Sequence, residues 1–201
     1  MSYFTTGDNR VCDIMASVQV VSSYNDQSVI DCLKQGGVVI ALTDTIYGIL
    51  ALANNQAAVE RVFSVKSRHP DKSPIVLVSH QDQLYDQPSQ PLAELMDEKW
   101  PGPVSIIVPS QRAPVWLRRS NNSLAYRQPA HRELAKLIDE VGPLIAPSAN
   151  PEGQPPAMTI EAAIEYFADA VDIYIDSGPA KSCQPSQLLQ VESNGEVERL
   201  R

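Results

Sequence analysis

The sequence has little of what marks membrane-spanning, secreted or disulfide-bonded proteins. Its three cysteines, Cys12, Cys32 and Cys183, are too few and too far apart for a metal cluster or a disulfide framework. Its longest apolar runs, such as residues 38–42 and 49–53, are much shorter than the roughly 18–20 residues of a membrane helix. No basic segment followed by an apolar one opens the chain. These absences predict a protein of the reducing cytoplasm that has no membrane partner.

An overall excess of positive charge is also missing. The chain has 24 acidic and 16 basic residues and a net charge of −8, which excludes a protein that coats nucleic acid with a basic face. The charge is uneven, however. Residues 61–136 carry 11 basic and 7 acidic side chains, whereas residues 1–60 carry 2 and 6 and residues 137–201 carry 3 and 11. This pattern indicates that the middle of the chain binds an anion.

The familiar glycine-rich nucleotide loops are absent as well. The nine glycines form neither a G-x-x-x-x-G-K-[ST] loop nor a G-x-G-x-x-G loop. If a nucleotide binds, other loops must therefore hold it.

Hydrophobic patterning predicts one layered α/β domain over residues 17–201, preceded by an extension of unknown role over residues 1–16. All 16 prolines lie at position 70 or later, so the later two thirds must contain many fixed turns. We predict helices over residues 25–33, 57–65, 92–100, 131–141 and 160–167. Strands are predicted over residues 18–21, 38–42, 75–78, 104–108, 124–126, 144–146, 173–175, 187–191 and 197–200.

Polar segments border several of the predicted strands and helices, and in α/β sheets ligands bind where strands end. Lys66 and Arg68 lie in a basic loop that suits phosphate or carboxylate. Arg127 follows a strand end, in a position to bind a carboxylate through two parallel hydrogen bonds. The segments are TDTIYG (43–48), KSRHPDK (66–72), WPGPVS (100–105), YRQPAH (126–131) and PSAN (147–150).

Taken singly, each segment also fits a polar turn that caps a helix, a solvated basic loop or, at His131, a structural histidine. Together they supply cations, hydroxyls and an amide but little general-base machinery, a set that suits phosphoryl or nucleotidyl transfer. A serine hydrolase with Ser148 as nucleophile and His131 or His80 as base is the less favoured reading. Ser148 follows Pro147 and lacks the flanking glycines of a nucleophile elbow.

Six segments in order resemble the signature motifs of the YrdC-like family, the threonylcarbamoyl-AMP synthases. The resemblance covers roughly residues 25–200, and six motifs in order are highly specific where one alone is not. It implies the short, single-domain bacterial-type form, with a three-layer α/β domain around a twisted mixed sheet. The segments are TDTIYG, KSRHPDKSP, WPGPVS, YRQPAH, APSANPEG and DSG followed by PSQLL.

The resemblance implies synthesis of threonylcarbamoyl-AMP from L-threonine, bicarbonate and ATP, with release of pyrophosphate. Partner proteins would then use the product to modify tRNA. Lys66 and Arg68 are the expected catalytic residues and contact ATP. Mg²⁺ is expected to bind mainly through ATP, since no carboxylate cage is visible. The other expected ATP-binding residues are Ser105, Ser148, Asn150 and Ser186, and the expected threonine-binding residues are Thr43 and Arg127.

The sequence departs from the family motifs at several positions. Leu42 stands in place of a proline, Ser105 in place of a threonine and Ser177 in place of a glycine. Tyr126 stands in place of a valine next to Arg127, and its bulk is expected to reshape the amino-acid pocket.

Two other functions remain open at the level of sequence. The chain could be a non-catalytic RNA-binding module of the same fold, with weak RNA binding through its basic middle. It could also be a carbamoyl-transfer domain of a larger enzyme. A paralogous branch of the family lacks the synthase activity, but the retained K-x-R and S-A-N residues argue against that branch.

Overall fold

The computed structural model describes residues 18–191 and 196–201, so the extension expected over residues 1–16 lies outside the described residues. Ten strands are found within this described part. They are β1 (Gln19–Val21), β2 (Val39–Leu42), β3 (Tyr47–Leu52), β4 (Ile75–Leu77), β5 (Val104–Pro109), β6 (Ser123–Arg127), β7 (Leu144–Ile145), β8 (Ile173–Ile175), β9 (Gln187–Val191) and β10 (Val197–Arg199).

All ten strands belong to one mixed sheet, as expected. Their order is β1-β8-β2-β3-β7-β4-β6-β5-β9-β10. Strand β8 runs parallel to β1 and β2, while β3 is antiparallel to β2 and β7. On the other side of β7, β4 is parallel to β6 and β5 is parallel to β9. The central strands are apolar throughout because helices cover both faces of the sheet.

The helices form the two outer layers. Helices α1 (Gln27–Lys34) and α5 (Arg132–Val141) pack on one face, over alternate residues of β2 and β3. The opposite face is covered by α2 (Gln56–Val65), α3 (Gln90–Lys99), α4 (Val115–Arg118) and α6 (Ile160–Phe167). Short 3₁₀ turns occupy Gln81–Gln83 and Ala168–Ala170. The predicted three-layer α/β architecture is therefore confirmed.

Side-chain caps explain where four of the helices begin. Asp26 accepts a hydrogen bond from the Ser28 amide at the start of α1. Asn55 and Thr159 cap α2 and α6 in the same way. His131 caps α5, because its Nδ1 accepts a hydrogen bond from the Leu134 amide at 3.2 Å. The interpretation of His131 as a structural histidine is thus confirmed.

Two elements differ from the sequence-based expectation. TDTIYG was expected to be a polar segment, but only residues 43–46 form a turn, and Tyr47 already begins the fully buried strand β3, which was not among the predicted strands. Helix α4 was not predicted either. The error at β3 arises because a continuous apolar run has no period that distinguishes a strand from a buried helix.

Candidate active site

A cavity opens at the end of β2, where several of the predicted polar segments meet. It is lined by residues 43 and 45–48, by Arg68, Arg127 and residues 146–148, and by Pro185, Ser186 and Arg201, which flank the last two strands. Ile75 completes the lining. The structure thus gathers five of the eight predicted site residues around one space: Thr43, Arg68, Arg127, Ser148 and Ser186.

The turn after β2 places the Thr43 hydroxyl at the cavity wall. Thr43 is 4% exposed, and its Oγ1 donates to the carbonyl of Ile46 at 2.8 Å. The same oxygen accepts a hydrogen bond from the Thr45 amide at 3.2 Å. These contacts close a tight turn, so the polar groups of residues 43–46 have fixed positions.

Arg127, the last residue of β6, is a buried cation that faces the same turn. Its Nη2 lies 3.4 Å from Oδ1 of Asp44, and its Nη1 donates to Oγ1 of Thr45 at 3.3 Å. Burial lowers the pKa of Arg127, and the Asp44 carboxylate opposes that shift. Neither Nε of Arg127 nor Oδ1 of Asp44 has a hydrogen-bond partner in the described part of the chain. Buried polar groups rarely stay unpaired, so this pair keeps unused hydrogen-bonding capacity next to the cavity.

Arg68 reaches the cavity from the loop that follows α2. Its guanidinium donates to the carbonyl oxygens of Lys72 and Ser73, at 3.3 and 3.1 Å, and lies 5.5 Å from the centroid of the Phe63 ring. Burial is the main cause that lowers its pKa, followed by the opposing effect of Glu152. The loop carbonyls therefore hold the cation in one orientation at the cavity.

Lys66 lies behind the cavity wall rather than on it. It is 3% exposed, and its Nζ donates to the carbonyl oxygens of Ser148 and Asn150. Burial lowers its pKa to about 8, with Arg68 as the next cause. The Asn150 side chain also serves its own loop, because its Nδ2 donates to Pro151 and Gln154 carbonyls. Lys66 and Asn150 together fix the segment that presents Ser148.

Ser105 and Ser186 form a buried pair. Strands β5 and β9 run side by side, and the two hydroxyl oxygens lie 2.8 Å apart. Ser105 is fully buried and does not line the cavity, whereas Ser186 does. Arg201 contacts Ser186 as well, since its Nε donates to the Ser186 carbonyl at 3.2 Å.

A carboxylate ties the basic loop to the 147–153 segment. Glu152 accepts a hydrogen bond from the His69 amide at 2.7 Å and pairs with Nζ of Lys72. These two contacts hold the pKa of Glu152 below its usual range. Glu152 therefore balances the charge of Lys72. Arg68 is the cation of this loop that faces the cavity.

The expectation that Tyr126 reshapes the amino-acid pocket is wrong. Successive residues of a strand point to opposite faces of the sheet. Tyr126 is fully buried in the core on the side of α2 and α3, where its hydroxyl accepts a hydrogen bond from the Tyr85 amide at 3.4 Å. Of these two neighbours, Arg127 lines the cavity and Tyr126 does not.

Nine of the fourteen lining residues were not predicted as site residues, and four of them deserve comment. Thr45 and Tyr47 lie inside the TDTIYG motif and follow from it once β3 is recognised. Pro185 lies in the PSQLL segment directly before Ser186. Arg201 belongs to none of the six signature segments, and the pairing of β9 with β10 brings it to the cavity.

Comparisons with known proteins show the family to which the chain belongs. A family model for the Sua5, YciO and YrdC proteins, described as "Telomere recombination", matches residues 31–201. The chain belongs to this family. A threonylcarbamoyl-AMP synthase of Pseudomonas fluorescens is 32% identical over 184 residues, which cover 90% of this chain and 99% of that protein. One from Coxiella burnetii is also 32% identical, with 89% and 97% covered.

Solved structures of the Sua5/YciO/YrdC family share the fold. Sua5 of P. abyssi, complexed with L-threonine, aligns with a TM-score of 0.82 at 27% identity, over 92% of this chain. The aligned part is 56% of that Sua5 chain, so the present chain spans little more than half of its length. E. coli YciO aligns with a TM-score of 0.80 at 17% identity, which shows the fold alone. No helix among the described residues is long and apolar enough to cross a membrane.

Proposed function

We propose that this chain synthesises threonylcarbamoyl-AMP from L-threonine, bicarbonate and ATP, with release of pyrophosphate. The observation that carries the proposal is the buried Arg127 with an unpaired Nε, next to Thr43 and in the same cavity as Arg68. In this arrangement the carboxylate of the amino acid and the polyphosphate of ATP each have a separate cationic partner, Arg127 and Arg68 respectively. The curated relatives of the same length carry the name of this activity.

On this proposal, Arg127 binds the carboxylate of L-threonine, because a guanidinium can donate two parallel hydrogen bonds to a carboxylate. Thr43 then lies against the bound amino acid. The threonine amine captures bicarbonate as a carbamate, with loss of water. A carbamate oxygen attacks the α-phosphorus of ATP, and the bond from that phosphorus to the bridging oxygen of pyrophosphate breaks.

Arg68, Ser148 and Ser186 are the proposed contacts for ATP, since they share the cavity with Arg127. Lys66 and Asn150 support them by fixing the loop of Ser148. The Lys66 ammonium faces the Ser148 and Asn150 oxygens and adds positive charge behind that loop. Ser105 acts through Ser186, whose hydroxyl it contacts. Such positioned cations and hydroxyls stabilise the charge that develops during phosphoryl transfer.

Mg²⁺ is proposed to enter with ATP rather than to occupy a protein cage. No group of three or more histidine, cysteine, aspartate or glutamate side chains suits a metal within residues 18–191 and 196–201. The Asp44 carboxylate is already engaged by Arg127 and the Ala130 amide. When bound, the ion would neutralise phosphate charge. Use of the product on tRNA by partner proteins, in the cytoplasm, and weak RNA binding remain predictions.

The test is formation of pyrophosphate by the purified protein with Mg²⁺. We expect pyrophosphate only when ATP, L-threonine and bicarbonate are all present, and a product with the mass of threonylcarbamoyl-AMP. Omitting each substrate in turn is the control. No pyrophosphate with all three present would refute the synthase. Binding of RNA that ATP and threonine leave unchanged would instead favour the RNA-binding module.

A further inference from the structure

Tyr24 lies between β1 and α1, before residue 31, where the family match begins. It is 4% exposed although no family motif includes it. A buried tyrosine hydroxyl normally has a hydrogen-bond partner, so the contacts of Tyr24 should explain its burial outside the matched region.

The Tyr24 side chain contacts three signature segments at once. Its hydroxyl donates to the carbonyl of Leu42, the residue directly before Thr43. Ser177 of the DSG segment donates from Oγ to the same hydroxyl at 3.3 Å. The Tyr24 ring packs on the ring of His131, with centroids 4.8 Å apart.

These contacts hold one end of the 43–46 turn. At the other end, the Tyr47 hydroxyl donates to the carbonyl of Gly178 at 2.7 Å, so two tyrosines attach the turn to the 176–178 segment. The 43–46 turn also holds Arg127, through Asp44 and Thr45. A displacement of the Leu42 carbonyl would therefore also displace the groups that face the amino acid. Burial raises the pKa of Tyr24 to about 12, so the hydroxyl keeps its proton at neutral pH.

We propose that Tyr24 is a positioning residue for the amino-acid side of the cavity, acting through the Leu42 carbonyl on Thr43 and Arg127. The proposal rests on the proposed function. Ser177, which stands where the family has glycine, supports Tyr24 by supplying the donor that orients its hydroxyl. The Ser148 segment of the ATP side meets this network at the Tyr47 carbonyl, which accepts a hydrogen bond from the Ala149 amide at 2.8 Å. Among the described residues, no side chain of Arg68, Ser148 or Ser186 forms a hydrogen bond with Tyr24.

The test is Tyr24→Phe, which removes the hydroxyl and keeps the ring on His131. We expect the KM for L-threonine to rise by about fivefold, the factor that corresponds to one lost hydrogen bond. The KM for ATP should stay within about twofold. The matched control is Tyr174→Phe, which removes another buried hydroxyl that donates to a backbone carbonyl, that of Ala168, away from the cavity.

A purely structural role would lower the melting temperature in both variants without separating the two KM values. That result, or an equal rise of both, would overturn the proposal. If Tyr24→Phe does not fold, Ser177→Ala tests the same network, with a smaller rise in the threonine KM alone. In the double variant, Ser177→Ala should add nothing to Tyr24→Phe, since it acts through the absent hydroxyl. A folded wild-type chain without synthase activity would refute the proposed function, and this proposal with it.

Discussion

Replacing Arg127 with alanine should weaken the binding of L-threonine far more than that of ATP. The guanidinium has its Nε unpaired, and hydrogen bonds to a charged group contribute about 1.5–3 kcal/mol. At about 1.4 kcal/mol per factor of ten, the affinity for L-threonine should fall by about 10- to 150-fold. The affinity for ATP, measured without threonine, should change by less than about twofold.

The same substitution also lowers stability, so binding and folding must be measured separately. Arg127 and Asp44 have side chains only 5% and 6% exposed, and removing one partner of a buried pair costs about 3 kcal/mol. For a chain of this size that corresponds to a drop of about 6–12 °C in melting temperature. Titration calorimetry with each ligand at low temperature, on protein shown to be folded, isolates the binding effect.

Arg61→Ala is the matched control for Arg127→Ala. Arg61 forms a two-point pair with Asp172, but that pair lies away from the cavity, and its side chains are 37% and 38% exposed. Both affinities should be unchanged, with a small loss of stability. If Arg127→Ala weakens ATP and threonine equally, or leaves threonine binding intact, the assignment of Arg127 to the amino acid is refuted.

Three further predictions concern Lys66, Glu152 and Tyr126. Because the pKa of Lys66 is lowered to about 8 in the fold, the unfolded chain binds more protons above that pH, so stability should rise with pH. In denaturant titrations, the free energy of unfolding of the wild type should rise by about 2 kcal/mol relative to that of Lys66→Met between pH 7.5 and 9.5. A difference between the two proteins that stays constant with pH would contradict the lowered pKa of Lys66. Glu152→Ala, which removes the acceptor of the His69 amide, should release the His69–Lys72 segment, with hydrogen exchange of that amide accelerated by about fivefold or more; unchanged protection would show that the loop does not need the carboxylate. Tyr126→Phe should leave the KM for L-threonine unchanged, and a clear shift would restore the original expectation for this residue.

The order of the elements and the three layers follow from local patterns in the sequence. Caps such as Asp26 and apolar spacing such as Leu134, Leu137 and Ile138 are read from a few neighbouring residues. The rule that polar residues at strand ends meet also holds for Thr43 and Arg127, because it depends on topology alone.

The partners of the site residues could not be predicted in the same way. The ammonium of Lys66 contacts carbonyl oxygens more than 80 residues away, and Ser105 meets Ser186 only because β5 pairs with β9. The face on which Tyr126 lies depends on the register of β6, and a shift of one residue would have reversed it. Arg201 reaches the cavity by long-range pairing alone, with no local pattern to indicate it.

The position of β9 and β10 at one end of the sheet has a consequence for local unfolding. The amino-acid side of the cavity rests on β2, β3 and β6, which have paired neighbours on both sides, whereas Ser186 and Arg201 depend on the last two strands. Edge elements open at a lower free energy than central ones. Fluctuations that detach β9 and β10 would therefore remove the proposed Ser186 contact to ATP, while the proposed L-threonine contacts of Thr43 and Arg127 persist. Bound ATP should in turn slow hydrogen exchange in these strands, which makes the edge of the sheet a reporter of nucleotide occupancy.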